Sequence, residues 1–170
     1  MVDIWERLAC IYNETGEELV ELGSDQTSCH DIKGGGYLPV GLTVEEGKKL
    51  IAANPDQFLE KVQDTLRRHV AAINLLSQGG KLYFWDYGNA FLLEAGRAGA
   101  DVFKDETKTN FKYPSYVQDI MGDIFSLGFG PYRWICTSGN ESDLLYCDKL
   151  ATDVLTNIIN SGIRNITSIK

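Results

Sequence analysis

Histidine and proline are scarce in this chain of 170 residues, with two and four respectively, and its four cysteines are widely spaced. Cys10, Cys29, Cys136 and Cys147 form no C-x-x-C pair, which argues against a structural zinc site and for reduced thiols in the cytoplasm. Long apolar runs are missing as well. No stretch approaches the 18 residues of a membrane span, and Met1-Val2-Asp3-Ile4-Trp5-Glu6-Arg7 is no signal peptide. Basic charge is in deficit: 16 Lys and Arg stand against 24 Asp and Glu, a net charge of −8. That leaves no electrostatic footprint for nucleic acid or an anionic membrane surface. There is no repeat or low-complexity tract, and the dinucleotide fingerprint G-x-G-x-x-G is absent. Three glycosylation sequons, at Asn13, Asn140 and Asn165, read as chance matches without a secretory signal.

What remains is enough for a folded core, since 44% of the residues are hydrophobic and 24% charged. Residues 3–13 have the spacing of a helix, with Ile4, Trp5, Leu8 and Ile11 on one face, and Gly16 ends it. Residues 18–22 read as a strand. Thr43 to Glu46 reads as a capping box of imperfect spacing opening a helix toward Ala53, which the Asn54-Pro55 pair breaks. The clearest helix covers residues 56–77, with Phe58, Leu59, Val62, Leu66, Val70, Ile73 and Leu76 at three- and four-residue steps, and Gly79-Gly80 stops it. Arg67 and Arg68 beside that stripe read as solvated or salt-bridged, and His69 at its edge as a packed core histidine. A short aromatic strand at residues 83–85, a helix over 90–98, a charged mobile loop over 101–110, and helices over 113–125 and 141–159 complete the pattern. Alternation of strands with helices of this length is the signature of an α/β fold.

Three segments pass from apolar sequence to glycine and polar residues. The first is Gly23-Ser24-Asp25-Gln26-Thr27-Ser28-Cys29-His30, followed by Gly34-Gly35-Gly36-Tyr37-Leu38-Pro39. The second, Phe84-Trp85-Asp86-Tyr87-Gly88-Asn89, ends the aromatic strand. The third, residues 128–139, brackets a strand with glycines and places Arg133 inside it. Polar groups delivered from several strand ends to one place are how α/β proteins assemble a ligand site. Read locally, each of these is equally an ordinary strand exit: Thr27 and Ser28 as turn caps, Tyr37 as packing, Arg133 as a partner of Asp123 or Asp143.

Taken together, these segments resemble urocanases. So do Leu66-Arg67-Arg68-His69-Val70-Ala71-Ala72-Ile73-Asn74, residues 113–123 and Gly130-Pro131-Tyr132-Arg133-Trp134-Ile135-Cys136-Thr137-Ser138-Gly139. The similarity runs from about Trp5 to about Ile163 and corresponds to only the middle of that family's longer chains. The resemblance implies the end of a Rossmann-like NAD domain over residues 1–32, leading into part of an α/β core domain over 33–170. It implies hydration of urocanate to imidazolone propionate in histidine breakdown, with NAD+ acting as an electrophile. Gln26, Thr27, Ser28, Cys29 and His30 match the family's NAD-contacting run, Tyr37 and Leu38 its second contact, and Tyr87 its third. Arg133 matches the arginine that grips the substrate carboxylate, a task suited to a planar bidentate fork. A homodimer is likewise implied.

The family's active-site cysteine belongs to a later motif, so no catalytic residue and no metal ligand is assigned within this chain. An alternative reading is a catalytically inactive urocanase-like protein that serves as a folded or interaction module. A third, a hydrolase or transferase with Cys29 or Cys136 as nucleophile, is weakened because Cys29 and His30 are adjacent in the chain. Neighbours on an extended segment point oppositely and do not readily share a proton.

Overall fold

The computed structural model describes residues 1–25, 27–128 and 136–161, in two compact units, Met1–Phe129 and Gly130–Lys170. Residues 32 and 33, the domain boundary expected from sequence, lie inside the first unit. The strand expected around Arg133 falls outside the described residues, as do residues 162–170.

In the first unit, α1 (Val2–Thr15) buries Val2, Trp5 and Ala9 and ends on Gly16 in the left-handed conformation, φ 72°. Ile4, expected on the inner face, is exposed, so the buried stripe is rotated from the one the spacing suggested. The helix leads into β1 (Leu22–Ser24), which pairs in parallel with β2 (Tyr83–Trp85). Gly23 lies opposite Phe84, and a Cβ there would sit 2.5 Å from the Trp5 ring. The strand expected over residues 18–22 is therefore shifted forward: Gly23 is its centre, where the indole needs a bare backbone, and not its end.

The crossover between the strands carries two α-helices among its described residues. For α2 (Val44–Ala53), Thr43 and Glu46 form a complete capping box: Glu46 N–H donates to Thr43 Oγ1 (3.2 Å) and Thr43 N–H to Glu46 Oε2 (2.8 Å). The spacing that looked imperfect satisfies both donors. For α3 (Pro55–Ser77), Asn54 Oδ1 accepts from Gln57 N–H and Pro55 takes the first turn, where its missing N–H costs nothing. The buried face of α3 comprises Phe58, Val62, Thr65, Leu66, His69, Val70, Ala72, Ile73 and Leu76, the spine of the core. Arg68 crosses to α1 with a bidentate grip on Glu6, 2.7 and 2.8 Å.

After β2, α4 (Phe91–Arg97) buries Phe91, Leu92 and Ala95. The segment expected to be a mobile loop folds back on itself through a bridge between Phe103 and Phe111, whose rings stack 5.1 Å apart. The continuous helix expected over residues 113–125 is not formed. Asp86 N–H donates to Pro114 O (2.9 Å) and Tyr116 N–H to Asp86 O (2.7 Å), which draws residues 114–116 alongside the end of β2. The chain then makes one π turn, Tyr116–Ile120, and a short α5, Gly122–Ser126, with Val117, Ile120 and Ile124 exposed.

In the second unit, α6 (Glu141–Asn160) opens on Asn140, whose side chain accepts from Ser142 N–H (3.1 Å), within one residue of the expected span. It buries none of its residues.

Candidate site at the strand ends

Because β1 and β2 are parallel, both deliver their exit loops to the same edge. The first residue past β1 is Asp25, fully buried. Its Oδ1 accepts from the backbone N–H of Tyr87, just past β2, and its Oδ2 from Thr27 Oγ1, each at 3.0 Å. Thr27 Oγ1 also meets Cys29 Sγ at 3.2 Å, and Asn89 Nδ2 donates to the Thr27 carbonyl. Asp86 folds onto its own loop, accepting from Gly88 N–H at 2.9 Å. With the Thr27 proton directed at Asp25, the Cys29 thiol donates to Thr27, and the three groups form one hydrogen-bonded chain.

Burial dominates the acid–base character of this cluster. Asp25 is pushed up to about 6 by desolvation, opposed by the Tyr87 N–H and reinforced by the negative charge of Asp86. Burial pushes the Cys29 thiol up to about 11. A thiol in that state is a poor nucleophile near neutral pH, which removes the main support for the Cys29 hydrolase or transferase reading.

The 3-10 turn Cys29–Asp31 leads into the glycine loop, where Gly36 N–H donates to Asp31 O at 2.8 Å. A Cβ on Gly36 would overlap the Ser28 carbonyl oxygen and lie 2.8 Å from that of Asp31, so only glycine lets the loop close here. The closure buries Tyr37, whose hydroxyl lies 3.1 Å from Nδ1 of the fully buried His69. His69 is depressed to about 4, first by burial and then by the charge of the chain's amino terminus. Its Nε2 has no hydrogen-bond partner among the described residues, and neither does Asn89 Oδ1.

Two cavities open at this edge. One of about 300 Å³ is bordered by Thr27, by residues 36–42, Tyr37 and Leu38 among them, and by Met1, Val2 and Asp3. The other, about 600 Å³, is bordered by His30, Asp86, Lys104, Lys112 and Gln118, among others. Of the residues singled out from sequence, Thr27, Tyr37 and Leu38 thus share one cavity and His30 faces the other. Cys29 lies in the core beneath, Ser28 is exposed, and Tyr87 stacks on Tyr116 with ring centroids 5.7 Å apart. Gln26 and Arg133 lie outside the described residues. The smaller cavity is at the low end of the roughly 300–1,000 Å³ typical of small-molecule pockets. Among the described residues no cluster of three or more His, Cys, Asp or Glu side chains is arranged to hold a metal ion. No helix among them is long and apolar enough to cross a membrane.

Asp25, Asn89 and the partnership of His69 with Tyr37 carry much of this geometry, yet reasoning from sequence assigned them no role in the site. A carboxylate directly after a strand was the available signal for Asp25. The helical stripe marks His69 as a packed core histidine, and it is fully buried; its pairing with Tyr37, 32 residues away, has no local signal.

Parallel strands joined by a helical crossover, with polar loops meeting at their carboxyl ends, define an α/β chain of the Rossmann-like class. The family model described as the urocanase Rossmann-like domain matches residues 1–120, and that of the urocanase C-terminal domain matches residues 123–168. The chain belongs to the urocanase family. It is 60% identical over 165 residues to the urocanate hydratase of Mus musculus and 58% identical to that of Homo sapiens. Each match covers 96% of this chain and 24% of the relative. A probable urocanate hydratase of Dictyostelium discoideum is 55% identical over 156 residues, 91% of this chain and 22% of its own length. The chain therefore spans about a quarter of the length of the curated relatives it matches.

Proposed function

We propose that this chain provides part of a urocanate hydratase site, holding NAD+ at the β1–β2 edge while water is added to urocanate to give imidazolone propionate. The observation that carries the proposal is the meeting of Thr27, Tyr37 and Leu38 around one cavity, with Tyr87 tied to the same cluster through Asp25. These are the positions that the family resemblance marks for cofactor contact. NAD+ supplies an electrophile when bound. The residues of this chain supply the rest: Thr27 and Tyr37 border the space for one end of the dinucleotide, and the buried cluster excludes water beneath it. The resemblance also marks Gln26, Ser28, Cys29, His30 and Tyr87 for the cofactor, of which Cys29 lies in the core and His30 borders the larger cavity, and it gives Arg133 the grip on the propenoate carboxylate. A homodimer and a cytoplasmic location go with the proposal, the latter supported by four free cysteines.

Calorimetric titration of the chain with NAD+ tests it. The expected result is weak but saturable binding, reduced at least fivefold by Thr27→Val. Saturable binding that Thr27→Val leaves unchanged would place the cofactor elsewhere, and no binding at all would refute the proposal for this chain.

A further inference from the structure

The Asp25 carboxylate is a costly way to fill its position. It is fully buried, it sits close enough to Asp86 to feel that charge, and no cation pairs with it among the described residues. Its two hydrogen bonds join backbone and side-chain donors that lie 62 residues apart at Tyr87 and two residues away at Thr27. A buried charge without a counter-ion destabilises a fold, and such departures from local rules concentrate at functional sites.

We propose that Asp25 is the positioning residue of this site, its two side-chain hydrogen bonds locking the loop after β1 and the loop after β2 into one arrangement. Asp25 does not border either cavity, so it acts through Thr27 and Tyr87 and not by touching a ligand. Asn89 reinforces the same junction by donating to the Thr27 carbonyl. The relevance of the lock to NAD+ rests on the function proposed above, whereas the lock itself does not.

Two variants separate these statements. Asp25→Ala removes both acceptors. Asp25→Asn keeps an oxygen for the Tyr87 N–H and turns an amide donor toward Thr27 Oγ1, which accepts equally well. Amide hydrogen exchange of the whole chain is measured first, without ligand. In Asp25→Ala, exchange at residues 27–31 and 86–89 is expected to speed at least tenfold, while α3 amides between Val62 and Ile73 stay within twofold of the parent. Asp25→Asn is expected to restore most of the loop protection. Unchanged loop exchange in Asp25→Ala, or loss of α3 protection in step with the loops, would overturn the lock. Should Asp25→Ala not fold, failure of Asp25→Asn to preserve loop protection would overturn it equally.

NAD+ itself is the probe in the second measurement. Affinity is expected to fall at least tenfold in Asp25→Ala and to remain within threefold in Asp25→Asn. Loosened loops with undiminished NAD+ affinity would deny Asp25 a positioning role. Absence of NAD+ binding in the parent chain would refute the proposed function, and the exchange data would then decide the lock by themselves.

Discussion

Two buried ionisable side chains, Asp25 and His69, bias the stability of this protein in opposite directions over the same pH range. The Asp25 carboxyl titrates near 3.8 when unfolded and near 6 when folded, so between those values the native state holds more protons. Its contribution therefore makes stability fall as pH rises from about 4 to about 6. His69 titrates near 6.5 unfolded and near 4 folded, so between those values the unfolded state holds more protons, and stability rises with pH. Each gap is worth on the order of 3 kcal/mol, and the two slopes largely cancel. Asp25→Asn should unmask the His69 slope and steepen the gain in stability between pH 4.5 and 6, by up to about 1.4 kcal/mol per pH unit. His69→Asn should do the reverse. Urea unfolding at several pH values reads both, and parallel profiles for the parent and the two variants would rule the account out. The cysteines make a second test at this scale. Cys136 is held below the usual thiol range by its hydrogen bond with Ser138, whereas burial raises Cys29. Alkylation of the folded chain at pH 7.5 should label Cys136 first and Cys29 last, and rapid labelling of Cys29 would restore it as a candidate nucleophile.

At the scale of elements, what could be read in the sequence was whatever depends on neighbours within a turn or two. The stripe from Phe58 to Leu76 needs only a three- and four-residue rhythm, and it became the buried face of α3. The Asn54-Pro55 junction and the α6 start are equally local. The misplaced elements answer to distant partners. β1 shifts onto Gly23 because Trp5 packs there, and the helix expected over residues 113–125 breaks because β2 captures Pro114 and Tyr116 through Asp86. The site divides in the same way. Thr27, Tyr37 and Leu38 came from matched motifs, while Asp25 and His69 gain their roles from residues 62 and 32 positions away. Local signals also carry measurable energy. Thr43→Ala removes half of the α2 capping box and should destabilise the chain by about 1 kcal/mol, lowering its melting temperature by a few degrees. Thr43→Ser should retain most of that stability, and equal losses in both variants would show that the hydroxyl is not the source.

For the whole molecule, the governing fact is that this chain spans about a quarter of the length of its urocanate hydratase relatives. The residues proposed to face the cofactor at the smaller cavity, Thr27, Tyr37 and Leu38, border a space of about 300 Å³, at the low end for small-molecule pockets. No G-x-G-x-x-G turn is present to bring a helix N-terminus to the pyrophosphate, and Arg133 is the one carboxylate clamp assigned. No residue here matches the cysteine that the family resemblance places in a later motif. Catalysis requires binding, orientation and proton transfer to be assembled around the same substrate, and this set supplies mainly the first. The chain with added NAD+ should therefore leave urocanate intact. Decay of the ultraviolet absorbance of urocanate is the assay, and turnover on the order of 1 per second or faster would contradict the prediction. Supplying the remaining segments from a full-length relative should restore hydration if the cofactor face is competent. In that mixture Arg133→Ala should lower kcat/KM mainly through a raised KM, because the guanidinium would grip the carboxylate in the bound substrate as well as in the transition state. A loss confined to kcat would instead place Arg133 at the reacting end of the substrate.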